Sequence, residues 1–480
     1  MPNFRPVLFV VGVMLLALAV AMLAPASASQ LGQHGLRSPF LMSAATTAFL
    51  GGACAIVGWE RRASINVREA FLATAIGWIA SAIAAALPLI ASGELSFTDA
   101  VFEATSGLTT TGLTIFTRID DLPVGILLWR SILQWIGGIG IIAMVITIMP
   151  FMRVGGMQLF RAESSERSAR IVARPLQLSL HLVSIYLSLT VLCGFAYWFA
   201  GMSPFDAVNH AMTTVSTGGF STHAASFGFW ATPGVKWVAA LFMTLGSLPF
   251  VVYIRAAKGD SLAPFRDQQV WGFLLLVVIA SVLLLAWVWR EGVPFGPALT
   301  QAVFTVTSMA STSGFSAADV PMAGAFAGVL ALVLAIVGGC TGSTAGALKM
   351  FRLQIMFLVA HEQIRKLVLP NLLFSRTYNA EAVSGDVVRS VIAFVFAYFV
   401  ALFVIAVGLS AFGGDLPTSF AAAVSAIGNV GTGLERIIGT GEGLATMPDG
   451  AKWLLSLGML LGRLELFTVL ILFTRTFWRA

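Results

Sequence analysis

Charge is scarce in this chain. Of 480 residues only 10% are Asp, Glu, Lys or Arg, while 58% are hydrophobic. Soluble proteins carry roughly 25% charged residues, so an ordinary soluble domain is excluded. Cysteine is almost missing: Cys54, Cys193 and Cys340 lie far apart in apolar or glycine-rich stretches. That favours small apolar packing over a disulfide or metal site as the role of each. The five histidines, His34, His181, His210, His223 and His361, show no metal-ligand spacing. No nucleophile–base constellation appears either, so the chain reads as a non-enzyme with no resident cofactor. No loop is long enough for a separate soluble domain; the longest lie around 153–175 and 368–383.

What fills the chain is apolar sequence. Many runs reach the roughly 20 residues that a bilayer-crossing helix needs, which makes this a multi-pass α-helical membrane protein. Arg5, the apolar run from Val7 and Ala24-Pro-Ala-Ser-Ala-Ser resemble a signal peptide with a small-residue cleavage site. The run to Leu23 exceeds the usual h-region of about 7–15 residues, and a second apolar segment follows at 40–59. An uncleaved hairpin over 1–62 is therefore expected. The net charge of +6 reflects topology, and no nucleic-acid partner is expected. Arg61, Arg62 and Arg68, then Arg153, Arg161, Arg167, Arg170 and Arg174, then Arg255, Lys258 and Arg266, then Arg365, Lys366 and Arg376, and finally Arg475 and Arg479 fall on one side. By the positive-inside rule that side is cytoplasmic, with both termini there.

Four polar, glycine-centred stretches interrupt the apolar sequence: Thr109–Thr114 (TTTGLT), Ser216–Ser221 (STGGFS), Ser311–Ser316 (STSGFS) and Gly428–Gly433 (GNVGTG). Gly112, Gly219, Gly314 and Gly431 thus recur at intervals of about one hundred residues, an internal repeat. The chain divides into units at 63–153, 175–258, 268–367 and 380–480. Each has an apolar helix, a half-length segment ending in the polar stretch, and a second apolar helix. The half-length segments, near 97–108, 204–215, 296–310 and 417–427, cannot span a bilayer at 1.5 Å per residue. They must enter and return on one side, and such backbone is tolerated only where it is buried or lines water. Aligning the glycines matches Asp99, Asp206, Gln301 and Thr418, and also the hydroxyls Ser106, Thr213, Ser308 and Ser425. Asp, Ser and Thr satisfy free N–H groups at helix starts, so each half-helix is expected to begin at the outer surface with its C-terminal end inward.

A cation leaving water needs its hydration oxygens replaced, and backbone carbonyls can supply them without a fixed charge. Glycine permits the unusual backbone this demands. The expected ion-binding residues are Thr110, Thr111 and Gly112; Thr217, Gly218 and Gly219; Thr312, Ser313 and Gly314; and Asn429, Val430 and Gly431. Carboxylates on the same side, among them Glu94, Asp99, Glu103, Asp120, Asp121, Asp206, Asp319, Asp415 and Glu435, would raise local cation concentration.

In the third unit, Val337-Gly-Gly-Cys-Thr-Gly-Ser-Thr-Ala-Gly346 would unwind a membrane helix, since each interior glycine costs about 1 kcal/mol relative to alanine. A break at that depth belongs beside a water path below the four loops. Arg463 stands inside the last apolar helix, where a charge costs at least about 2.5–3.5 kcal/mol. Carbonyls of the 338–346 loop are its expected partners, because Glu465 faces elsewhere; snorkelling to the cytoplasmic interface is the alternative. Arg130 is left between a lipid-interface, an inter-helix and a pore role.

These features together resemble the Trk/Ktr/HKT superfamily of potassium transporters, within it the TrkH/TrkG type of uptake subunit. The likeness spans the chain and includes Gln134-Trp-Ile-Gly-Gly-Ile-Gly140, Gly339-Cys-Thr-Gly-Ser-Thr-Ala-Gly346 followed by Lys349, and Gly462-Arg-Leu-Glu465. It implies four pseudo-repeated membrane–pore–membrane units around a K⁺ pathway in a bacterial inner membrane, usually as a homodimer. It also implies a cytoplasmic TrkA-type regulatory subunit that binds nucleotide. Gating would fall to Gly338, Gly339, Gly342, Ser343, Thr344 and Gly346 together with Arg463. The fourth loop, with Asn429 and Val430, departs from the Thr/Ser pattern. Channel-like flow, H⁺ or Na⁺ symport, and a secondary transporter for an organic solute stay open at this point.

Overall fold

The computed structural model describes residues 3–31, 36–60, 66–147, 175–317, 324–370, 376–431 and 444–479. Outside them lie the loop arginines at 153–174, Arg61, Arg62, Asp319, Gly433, Glu435 and Arg436. Apart from a hairpin of two-residue strands, Thr377–Tyr378 with Glu381–Ala382, the described residues are helices and loops.

Helix α1 (Phe4–Ala21), α2 (Leu23–Leu31) and α3 (Arg37–Gly58) precede α4 (Val67–Ala91). Helix α1 crosses α3 with backbones nearly touching. A side chain at Gly12 would collide with Ala55, and one at Gly58 with the Arg5 and Phe9 backbone. Small residues let helices meet this way where lipid provides no hydrophobic drive. Glu69 ties the pair to α4 by accepting from the N–H groups of Asn66 (2.9 Å) and Asn3 (3.1 Å).

Four short helices, α5 (Phe97–Leu108), α8 (Pro204–Val215), α12 (Phe295–Ala310) and α16 (Leu416–Gly428), match the half-length segments to within a residue. Ser96 and Ser203 cap the first two, each accepting from the N–H of the aspartate three residues on. The aligned acids Asp99 and Asp206 therefore sit one turn inside, and the caps precede the positions that alignment had suggested.

Around them run α6 (Val124–Thr147), α7 (Pro175–Phe199), α9 (Pro233–Gly246), α10 (Phe250–Ala257), α11 (Gln268–Arg290), α13 (Ala325–Val337), α14 (Met350–Val368), α15 (Gly385–Ala411) and α17 (Asp449–Arg463). Seven described helices are long and apolar enough to cross a membrane. Two further spans are sharply bent: α9 into α10 by 87°, and α17 into Phe467–Phe473 by 107°. The apolar runs read from sequence give one second helix per unit in both places, and the structure divides each at the bend. Pro249 was the legible signal for the first bend, since it cannot donate to the preceding turn. The expected break in the third unit separates α13 from α14. Broad apolar faces lie exposed, among them Phe195, Ile279, Val282, Phe403 and Val407, as lipid contact requires. The chain is an all-α, multi-span membrane protein.

Candidate functional site: four glycine loops above a broken helix

Each half-helix ends in the same backbone trick. Thr110, Thr217, Thr312 and Asn429, two residues before the respective glycines, have φ of 52°, 52°, 62° and 52°. The N–H of each returns to a carbonyl three residues back, on Gly107, Thr214, Met309 and Ala426. The next residues fold back further: Thr111, Gly218 and Val430 donate to the carbonyls of Ser106, Thr213 and Ser425, at 2.8–2.9 Å. In the third loop Gly314 itself donates to Ser308, at 3.2 Å. The matched hydroxyl positions thus contribute through their carbonyls. Gly112, Gly219 and Gly314 then take φ of 82°, 82° and 70°, which L side chains rarely adopt. Gly431 lies outside that region, so the fourth loop differs in backbone as in sequence.

The four loops expected from sequence come together and abut one another. A side chain at Gly112 would overlap the Gly218 carbonyl and come within 3.3 Å of Gly431 Cα. One at Gly219 would overlap the Ser313 carbonyl, and one at Gly314 the backbone of Gly431. Loop one therefore touches two and four, two touches three, and three touches four. Asn429 Nδ2 also donates to Thr111 Oγ1 at 2.9 Å. Thr110 Oγ1 and Asn429 Oδ1 are buried oxygens with no hydrogen-bond partner among the described residues.

Directly beneath lies the segment 338–349. Gly338 and Gly342 take φ of 70° and 81°, and so do the non-glycines Ala347 (62°) and Lys349 (71°). The segment is stitched to the others. Gly346 N–H donates to Thr312 Oγ1 at 2.9 Å, and Thr344 Oγ1 donates to the carbonyls of Gly246 (3.0 Å) and Val215 (3.1 Å). Thr217 Oγ1 lies 3.2 Å from Thr344 Oγ1. Ser343 bonds within the loop, to Cys340 O. Gly339 sits against Ser247, and Gly346 against the Gly428 carbonyl, where side chains would not fit. Cys340 N–H donates to Ser247 O and Phe250 N–H to Gly342 O. The loop is thus seated in the bend at 246–250.

Arg463 is buried and reaches two carbonyls, Thr344 O at 2.8 Å and Gly137 O at 3.1 Å. The expected partner is present and snorkelling is not. Sequence reasoning missed the neighbouring cluster: Glu465 (φ 53°) accepts from Lys349 Nζ at 3.2 Å and from Arg352. All three are buried. The signal was available, since Lys349 follows the glycine-rich loop and two cations at that depth demand an anion.

Among the described residues most of the expected carboxylates are engaged. Glu103 is fully buried and binds Arg130 at 2.8 Å, while Arg130 also donates to Ser221 O and Thr114 Oγ1. That settles Arg130 as an inter-helix tie and removes Glu103 from the solvent-facing set. Asp99 pairs with Lys452 at 2.6 Å. His223, stacked on Phe229, lies 3.0 Å from Asp120 and 3.4 Å from Asp206. Burial alone would lower its pKa, but the two carboxylates outweigh that and raise it. Among the described residues no group of three or more His, Cys, Asp or Glu could hold a metal ion.

Comparison with known proteins agrees with this geometry. A family model described as "TrkH: Cation transport protein" matches residues 39–479. The Trk system potassium uptake protein TrkI of Halomonas elongata is 43% identical, covering 99% of this chain and 97% of that protein. TrkH of Escherichia coli is 35% identical, covering 99% and 100%. The crystal structure of the potassium transporter TrkH from Vibrio parahaemolyticus superimposes with a TM-score of 0.91 at 33% identity, covering 99% of this chain and 100% of that one. The chain belongs to the TrkH family of cation transport proteins.

Proposed function

We propose that this protein takes up K⁺ across the bacterial inner membrane through a filter formed by its four glycine loops. Each pore unit, 63–153, 175–258, 268–367 and 380–480, contributes one loop around a common axis. The observation that carries the reading is the closed circuit of backbone contacts between loops that share a left-handed residue at the same register. Carbonyls and hydroxyls of residues 110–112, 217–219, 312–314 and 429–431 replace the ion's hydration oxygens. The inward C-terminal ends of the half-helices add partial negative charge. The likeness to potassium uptake proteins supports K⁺ as the cargo.

The 338–346 segment acts as the gate, because it lies across the inner end of the loops and is pinned there by Arg463. Breaking the pin frees the Thr344 carbonyl and removes a positive charge from the path. Arg463→Gln is expected to raise cation flux about tenfold, the change worth 1.4 kcal/mol of barrier. Flux at or below the wild-type level in a folded variant contradicts that role. Both termini face the cytoplasm, where a TrkA-type nucleotide-binding subunit docks, and the protein works as a homodimer surrounded by lipid.

Purified protein in liposomes should accumulate Rb⁺ down a cation gradient, with K⁺ competing more effectively than Na⁺. Uptake of an organic solute without Rb⁺ or K⁺ movement refutes the proposal.

A further inference from the structure

The motif Gln134-Trp-Ile-Gly-Gly-Ile-Gly140 on α6 is the seam between the first two glycine loops. Gly137 lets the helix touch the Leu108 carbonyl, and Gly138 lets it touch Ser216. Between those contacts and the outer surface, Gln134 reaches out of unit one and grips the loop of unit two. Its Nε2 donates to Gly218 O at 2.6 Å and its Oε1 accepts from Phe220 N–H at 3.0 Å. A backbone N–H can only donate and a carbonyl can only accept, so the orientation of the carboxamide is fixed. The side chain is fully buried. Both its polar ends are satisfied by the residues flanking Gly219.

Among the described residues the other units show no such brace. Gly137, Gly246 and Gly462 occupy one register, each facing the carbonyl four residues before its loop glycine: Leu108, Val215 and Ile427. Three residues earlier stand Gln134, Met243 and Met459. Two of these three helices thus present a thioether where unit one presents a carboxamide. The third unit has no continuous helix there.

We infer that Gln134 is a positioning residue for ion discrimination, holding the Gly218 carbonyl and the turn through Gly219 at fixed distance from the pathway. This rests on the four-loop filter reading. The Gly218 carbonyl abuts Gly112 of loop one, so the brace fixes the spacing between two loops as well as the shape of one. A carbonyl has two lone pairs, and the amide takes one while leaving the other for the ion. Without the brace, loop two can relax inward around a smaller cation, and rejection of Na⁺ weakens.

Gln134→Met tests this with the residue that units two and four already use at this register. The readout is the ratio of the Na⁺ and K⁺ concentrations that halve Rb⁺ uptake into proteoliposomes. The ratio is expected to fall about tenfold, the effect of one buried hydrogen-bonding partner. Gln134→Glu keeps the acceptor for Phe220 but loses the donor to Gly218, and should fail to restore the ratio. A folded Gln134→Met protein with the wild-type ratio, or one that loses Rb⁺ uptake at an unchanged ratio, overturns the inference. If that variant does not fold, Gly218→Ala decides instead. Its methyl group would displace the carboxamide, and a wild-type ratio there is equally fatal. Gly112→Ser separates the two levels. If it changes neither flux nor ratio, the filter reading itself fails; if it does and Gln134→Met does not, only this inference falls.

Discussion

Gly112→Ser should abolish K⁺ uptake, lowering it at least about a hundredfold while the protein still reaches the membrane. Two independent effects converge on this position. The residue sits at φ 82°, where any L side chain is strained by about 1–2 kcal/mol. Its new Cβ would also occupy the space of the Gly218 carbonyl oxygen, which backbone geometry cannot yield without moving loop two. Each 1.4 kcal/mol is tenfold in rate, and the steric term alone requires a loop displacement larger than a coordination shell tolerates. Rb⁺ uptake with the purified variant measures the effect, and size-exclusion elution separates lost flux from lost folding. Retained uptake in a folded variant would mean that the loops do not form the pathway.

The second large effect concerns stability. Glu465→Gln leaves Lys349 and Arg352 buried without their shared anion. Removing one member of a buried charge cluster typically costs about 3–5 kcal/mol, because the remaining charge has already lost its water. The loss falls where the 338–349 segment meets the bend after α17, so both chain breaks should loosen together. The melting midpoint in detergent should drop markedly. Adding Lys349→Met to Glu465→Gln should recover part of it, since Arg352 keeps its contact over the Phe394 ring at 3.8 Å. A single variant as stable as wild type would show that the cluster is hydrated and carries little energy.

Much of this architecture was legible before any coordinates. Half-helices too short to span a bilayer, ending in hydroxyl and glycine residues, leave few other arrangements, and their observed limits fall within a residue of those read from sequence. The glycine-rich run at 338–346 announced a break by propensity alone. The rest depended on side chains from distant segments. That Glu103 serves Arg130 and not the solvent, or that Asp99 pairs with Lys452 from the last unit, follows from packing that periodicity does not encode. Of the two bends, Pro249 marked the one after Gly246, whereas the one after Arg463 has no proline or glycine of its own; the 338–349 segment docks at both. Gln134 stood in a recognisable motif, but its partner lies 84 residues away and emerges only once two units are placed side by side.

Uptake through the four glycine loops requires that cations be held where those loops meet. Anomalous scattering from crystals grown in Rb⁺ tests this directly. Density is expected on the axis between residues 110–112, 217–219, 312–314 and 429–431, within coordination distance of their carbonyl oxygens. Rb⁺ bound elsewhere in the membrane region, with that axis vacant, would contradict it.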